Sequence, residues 1–397
     1  MCFKYKGRAY MKLISIQASG LPLFKEDLHL RFYASQRVQK DALSNLYQIL
    51  PNVYLNNAIG IIGINASGKT TVLRVIDFVL HILNNDSLNH VESRTILDGT
   101  EKSDFKIVFI NNQEQICLLN TVISPDDYFL KSQRQYCIVD EQLYVKPAKN
   151  VKRKKDIADF SGCRNVINRK DHEEFLSDDV SIVISMNRKY HDHIFMTCLL
   201  QMTDVNELGA IDNVSDEIIH YLDPSIESIR IEHVEGGDRV HLHFKEKEEI
   251  LLNDIEDLNR YLSSGTIKGI RTFNNAISVL QYGGYVLVDE IEDHFNHEIV
   301  ATLVRFFMDP EINPHGASLI FSTHYPELLD EFDRNDSIYI TRNQNGITAE
   351  NLSDILHRND IKKSEAYQSG YLEGTVPMYE SYLELKKKIQ AAVKKGA

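Results

Sequence analysis

From Met11 onward, apolar and polar positions alternate in MKLISIQ and again in FKEDLHLRF, which predicts two half-buried strands joined as a hairpin around Ser19-Gly20. Residues 1–10 precede this pattern and read as an upstream extension or a choice of start codon, Met1 or Met11. Past the Asn-rich stretch 51–57, the run AIGIIGI is apolar without alternation, as in a strand buried on both faces. A helix is predicted directly after it. In TVLRVIDFVLHIL, Val72, Val75, Ile76, Val79, Leu80 and Leu83 recur at three and four, until Asn84-Asn85-Asp86 stops the pattern. FKIVFI, EQICLL and QYCIVDEQLYV alternate once more and extend the N-terminal sheet to about residue 145.

Residues 146–235 are polar and mixed in charge, and HDHIFMTCLLQM reads as helix, so an inserted, mainly helical lobe is expected there. SIRIEHVEGGDRVHLHF predicts a hairpin turned at Gly236-Gly237. Then follow a helix near 266–281, the strand YVLVDE, the helix EIVATLVRFFM and the strand SLIFSTH. The expected organisation is α/β: residues 1–145 as a first half with an antiparallel layer, 146–235 as the lobe, 236–345 as a second half, and 346–397 as a tail ending in the basic helix LELKKKIQAAVKK. No internal repeat or coiled-coil heptad is present.

Composition narrows the classes. The 397 residues are enough for two or three domains or one large domain with an insertion, and 43% hydrophobic with 25% charged residues is ordinary globular usage. The net charge of −13 excludes a global electrostatic footprint for nucleic acid, so any such contact needs a local patch. One exists: Lys146, Lys149, Lys152, Arg153, Lys154 and Lys155. It reads as a solvated loop or as a contact for a partner or nucleic acid, and the lack of interleaved aromatics argues against stacking of single-stranded bases. The five cysteines, Cys2, Cys117, Cys137, Cys163 and Cys198, show no CxxC and suit reduced thiols. The start lacks the apolar core of a signal peptide and no window reaches the length of a membrane span, so the expected location is the cytoplasm.

The strongest chemical signal is Gly63-Ile64-Asn65-Ala66-Ser67-Gly68-Lys69-Thr70, followed by Thr71, a GxxxxGKT spacing set between a predicted strand and a predicted helix. Glycines let backbone N–H groups wrap a phosphate, the helix N-terminus faces the anion, Lys69 reaches the β/γ oxygens and the Thr70 hydroxyl suits Mg²⁺. The implied ligands are ATP and Mg²⁺. A second signal is the apolar strand that delivers Asp289 and Glu290 at its carboxyl end, where α/β sheets bind ligands. Asp289 suits the metal and Glu290 the deprotonation of an attacking water. Alone, such a pair is an ordinary solvated strand end; beside a phosphate loop it gains meaning. His294, His297, His241 and His243 read as surface residues rather than metal ligands.

Two further motifs, Leu262-Ser263-Ser264-Gly265-Thr266 and Ser322-Thr323-His324, complete an order that resembles ABC-type ATPases. LSSGT is similar to their LSGGQ signature, although by itself it is an unremarkable helix cap. The resemblance implies a P-loop NTPase fold and a homodimer, or higher oligomer, that sandwiches ATP. In it Ser263, Ser264 and Gly265 contact the nucleotide of the other subunit, His324 senses the γ-phosphate, and Glu292-Asp293 form the loop crossing the interface. Lys69, Glu290 and His324 would then be the catalytic set. The glutamine that such enzymes place near the metal has two candidates, Gln113 and Gln142.

Within that superfamily GINASGKT, MKLISIQ, VLVDEIEDHFNHEIV, STHYPELLD and SEAYQSGYLEGTVP look like the ATPases of prokaryotic phage-defence and abortive-infection systems, of overcoming-lysogenisation-defect, Septu and PARIS type. Ala66 departs from the glycine found in recombination and chromosome-maintenance relatives. Too little chain follows the STH strand for a TOPRIM nuclease domain, so the resemblance implies an effector acting in trans, a nuclease encoded nearby. A DNA-repair ATPase of the RecF or SMC-head type and a transporter subunit stay open as alternatives.

Overall fold

The computed structural model describes residues 11–38, 45–126, 135–163, 165–171, 174–200, 214–234, 237–358, 361–375 and 379–395. In chain order the strands and main helices are β1 (Lys12–Ser19), β2 (Leu28–Arg31), β3 (Leu46–Leu50), β4 (Val53–Asn56), β5 (Ala58–Ile62), α1 (Lys69–Asn84), β6 (Ser103–Ile110), β7 (Gln115–Pro125), β8 (Tyr136–Pro147), β9 (Asn165–Asn168), α2 (Val183–Tyr190), β10 (Met196–Cys198), α3 (Asp216–Leu222), β11 (Ile226–Val234), β12 (Gly237–Phe244), β13 (Ile250–Leu252), α4 (Ser264–Tyr282), β14 (Tyr285–Val288), α5 (His297–Met308), β15 (Ser318–Thr323), β16 (Ile338–Asn343), β17 (Ile347–Asn351), α6 (Leu352–Ile355), α7 (Lys363–Gln368) and α8 (Tyr379–Lys395).

The central sheet has the order β10-β14-β15-β5-β16-β17, parallel except for β17. Its inner strands β5, β14 and β15 are buried along their whole length because both faces are covered. Ala58, Ile62, Val286, Val288, Leu319 and Phe321 pack on one face with α4 and α5. Ile59, Ile61, Tyr285, Leu287 and Ile320 pack on the other with α1. α1 buries Val72, Val75, Ile76, Val79, Leu80 and Leu83. Each fully buried side chain of this kind contributes roughly 1.5–3 kcal/mol.

Beyond α1 lies the antiparallel sheet β2-β1-β6-β7-β8-β9, which supplies Leu13, Ile16, Phe105, Phe109 and Leu119 to the same core. Polar side chains fix the two sheets together. The Leu13 N–H donates to the Tyr285 hydroxyl at 2.7 Å, and the Arg31 N–H to that of Tyr339 at 2.6 Å. Buried Lys12 donates to the carbonyls of Gly283, His315 and Gly316. The expected hairpins β1-β2 and β11-β12, the layer continuing through β6, β7 and β8, the two-faced strand β5 and the helices α1, α4 and α5 are all present. Gly236, half of the expected hairpin turn, lies outside the described residues, as do residues 1–10.

Residues 146–235 differ from the expectation. Their described part holds only two α-helices, α2 and α3, of eight and seven residues, with three single-turn 3-10 helices, beside strands β9, β10 and β11. HDHIFMTCLLQM is not a helix where described: Met196–Cys198 form β10, which pairs in parallel with Tyr285–Leu287. Where described, the segment therefore gives β9 to the antiparallel sheet, β10 to the edge of the central sheet and β11 to a three-stranded sheet with β12 and β13, and is not mainly helical. The tail helix α8 is present and contributes nothing to the three cores; Tyr379, Tyr382, Leu385, Ile389 and Val393 on it are exposed. Among the described residues, no helix is long and apolar enough to cross a membrane.

Candidate nucleotide site

β5 ends at Ile62 and α1 starts at Lys69, so residues 63–68 form a loop that wraps the helix N-terminus. Two glycines are required by space. A Cβ on Gly63 would lie 2.2 Å from the Ser67 hydroxyl, and one on Gly68, whose φ is +99°, would lie 2.6 Å from Ile347. Ala66 adopts φ +62°, a left-handed conformation that costs a non-glycine residue about 1–2 kcal/mol. The Ser67 side chain is turned away, bonded to the Thr341 hydroxyl at 2.7 Å, so only its backbone faces the loop's cradle.

Lys69 is buried and folded back on its own loop, donating to the carbonyls of Gly63 at 3.2 Å and Ile64 at 3.4 Å. Burial pulls its ammonium below the ordinary lysine value, and the negative charges of Glu290, Asp289 and Glu292 oppose that shift. The Thr70 hydroxyl donates to Asp289 at 2.6 Å. Asp289 is also bonded by the Ser322 hydroxyl, which in turn accepts the Glu290 N–H at 2.8 Å. β14 and β15 are thereby locked together at their carboxyl ends. Glu290 takes φ +46°, a strained conformation that holds its side chain 41% exposed beside the loop. The His324 ring bridges the site, with Nδ1 3.4 Å from Lys69 Nζ and Nε2 3.3 Å from Glu290 Oε1.

These groups border an open cavity of about 550 Å³ lined by Asn65, Ala66, Gly68, Lys69, Thr70, Thr71, Glu290 and His324. Three residues the sequence did not flag complete it: Leu23, Asn343 and Ile347. Asn343 donates to the Ala66 carbonyl at 3.1 Å, and Ile347 is tied to the β1–β2 loop by its N–H on the Leu23 carbonyl at 2.8 Å. No local motif marks them, because Asn343 and Ile347 reach the loop through the β16-β17 hairpin and Leu23 through the β1–β2 loop. The oxygen donors of Thr70 and Asp289 have the hard chemistry Mg²⁺ takes.

The signature segment sits at the start of α4. Ser263 is the N-cap, accepting the Thr266 N–H at 3.0 Å, and the Ser264 hydroxyl lies 3.1 Å from His294 Nδ1. A Cβ on Gly265 would meet the His294 carbonyl at 2.4 Å, so glycine is required for α4 to pack on the turn after β14. None of Ser263, Ser264, Gly265 or Asp293 lines the cavity over the phosphate loop.

Other expectations need revision. Glu292 is buried, with only 5% exposure, and accepts the His324 N–H, so unlike half-buried Asp293 it is not a surface residue of an interface loop. Gln113 lies in the β6-β7 turn and Gln142 within β8, bonded to Tyr144 at 2.6 Å, and neither lines the cavity. In the basic cluster, Lys146 is buried against the carbonyls of Asp156, Ile157 and Asp159, and Lys154 donates to those of Ser35 and Gln36. Lys149, Lys152, Arg153 and Lys155 remain exposed. His241 and His243 pair with Glu249 at 3.0 Å and Glu227 at 3.3 Å. Among the described residues no group of His, Cys, Asp and Glu converges on a metal, and Cys117, Cys163 and Cys198 are free thiols.

A phosphate loop on a buried parallel strand, with a carboxylate pair on the strand two places away, defines an α/β P-loop NTPase. The family model described as "AAA domain, putative AbiEii toxin, Type IV TA system" matches residues 59–330, and the chain belongs to this family of AAA-type ATPases. No curated protein matches the chain.

Proposed function

We propose that this protein binds and hydrolyses ATP, and that two copies close over the nucleotide in the ABC manner to form a switch controlling an effector, a nuclease, in a phage-defence or toxin–antitoxin-like system. The observation that carries the reading is the meeting of Lys69, Thr70, Asp289, Glu290 and His324 at the carboxyl ends of three adjacent parallel strands, β5, β15 and β14.

In this reading the loop N–H groups and the α1 N-terminus hold the phosphates. Lys69 leaves the carbonyls of Gly63 and Ile64 for the β/γ oxygens, a contact open to it because it is already aimed into the loop. Thr70 and Asp289 would hold Mg²⁺, which neutralises charge developing on the transferred phosphoryl group. Glu290 orients the attacking water and accepts its proton, and His324 contacts the γ-phosphate. Ser263, Ser264, Gly265 and Asp293 are assigned to the nucleotide held by the other copy, which is supported by their absence from the lining of their own chain's cavity.

ATP then acts as a switch because it binds the closed dimer better than the open one. The family's toxin–antitoxin description supports the defence context, and the exposed apolar stripe of α8 leaves surface for a partner. The test is purification of the tagged chain together with the products of its neighbouring genes, with light scattering in ATP and without nucleotide. A stoichiometric partner whose association changes with ATP is expected. A lone protein that retains DNA only with ATP replaces this reading with a recombination ATPase, and co-purification with a membrane protein replaces it with a transporter subunit.

A further inference from the structure

We infer that Glu292 is a positioning residue for His324, acting by the reach of its carboxylate and not by its charge. The inference rests on the ATPase reading above and extends it inward, to the groups that hold the reacting ones in place.

Besides the Ser322 hydroxyl on Asp289, the turn after β14 and the end of β15 are joined by three bonds donated by backbone N–H groups. The Glu290 N–H meets the Ser322 hydroxyl at 2.8 Å, and the Ile291 N–H meets the Ser322 carbonyl at 3.1 Å. The third is the Glu292 carboxylate on the His324 N–H. The first two lock Ser322, where β15 is still in the sheet. Of these three, only the last reaches the backbone of His324, the first residue past Thr323 and the strand end. The imidazole's own contacts are long, with its two nitrogens 3.4 Å from Lys69 Nζ and 3.3 Å from Glu290 Oε1, and in the reading above Lys69 turns away to the phosphates. Ring position is therefore set from the backbone, and the backbone amide is set by Glu292.

The carboxylate bears the cost of this arrangement. It is 5% exposed, and its second oxygen finds no hydrogen-bond partner among the described residues. A buried acceptor left half satisfied is destabilising, and a third negative charge beside Asp289 and Glu290 opposes an incoming triphosphate. An amide at this position would keep the acceptor for the His324 N–H without the charge. A shorter carboxylate would keep the charge without the reach.

The pair Glu292→Gln and Glu292→Asp in the full chain separates these roles. Hydrogen–deuterium exchange at the His324 amide, measured without nucleotide, is expected to match wild type in Glu292→Gln and to quicken at least tenfold in Glu292→Asp. With ATP and Mg²⁺, kcat of Glu292→Asp should fall about 10–100-fold, the size of one lost charge-assisted bond, while KM stays within about threefold and Glu292→Gln keeps kcat within the same margin. The opposite ranking, with Glu292→Gln impaired and Glu292→Asp active, overturns the inference, as does a rise in KM with kcat intact. Absence of hydrolysis in wild type under every condition counts against the ATPase reading instead, and the exchange measurement still decides the role of Glu292.

Discussion

Asp289→Asn isolates the metal-holding role from the structural one. In the folded chain Asp289 is 7% exposed and accepts two hydroxyl bonds, from Thr70 at 2.6 Å and from Ser322. Asparagine has the same shape. Its amide oxygen can still accept from one hydroxyl, and the other hydroxyl can rotate to accept from the amide NH₂, so the nucleotide-free fold loses only the charge on two bonds. Neutral and charge-assisted bonds differ by about 1 kcal/mol each, and relief from burying a carboxylate offsets part of it. The variant should unfold within a few degrees of wild type.

The nucleotide complex should respond far more. Removing one ionised ligand from a Mg²⁺ site forfeits about 1.5–3 kcal/mol of charged contact, or about 10–150-fold in affinity. Fluorescent-ATP titrations with Mg²⁺ and with EDTA measure this directly. Wild type should bind much more tightly with Mg²⁺, and that increment should collapse in Asp289→Asn while the EDTA affinity stays within about threefold. An unchanged Mg²⁺ increment would show that Asp289 serves only to hold Thr70 and Ser322, and the metal site would have to be sought elsewhere.

Other outcomes follow from the same geometry. Lys69→Ala should abolish detectable ATP binding by calorimetry yet leave the circular dichroism spectrum intact, because among the described residues Lys69 bonds only to its own loop and the His324 ring. Asp192 is 4% exposed, its carboxylate accepts the Asn112 N–H at 3.3 Å, and burial raises its carboxyl to about 6. Its folded value lies above its unfolded one, so ionising it at pH 7.5 costs the folded state, and the cost fades as pH falls through about 6. Asp192→Asn should therefore raise the melting temperature at pH 7.5, by about 1 kcal/mol of stability after discounting for solvent screening, and the gain should shrink below about pH 6 and vanish only below the ordinary carboxyl value of 3.8 in a thermal-shift series.

The phosphate loop and the carboxylate pair were legible because their chemistry is local: fixed spacing, a two-faced strand before and an amphipathic helix after. α4 and α5 were equally plain, since their periodicity is strong and their N-caps, Ser263 and Asn296, are local signals. β10 was not, because IFMTCLL is a short continuous apolar run, and such runs do not distinguish a buried strand from a helix segment. What decides it is a partner nearly ninety residues away, Tyr285–Leu287. Tertiary context likewise assigned Glu292. A carboxylate just past a strand end reads as solvent-facing, and only the fold of β15 beside β14 turns it inward to the His324 amide. The same holds for Asn343 and Ile347, which meet the loop through a hairpin some 280 residues downstream.

The central claim, closure of two copies around ATP, is tested most directly by Glu290→Gln, which keeps the shape of the site and removes the base. Light scattering of this variant with saturating ATP and Mg²⁺ should give a stable species of twice the chain mass that returns to monomer in nucleotide-free buffer. A monomer under both conditions, with ATP bound, would contradict the sandwich and with it the switch.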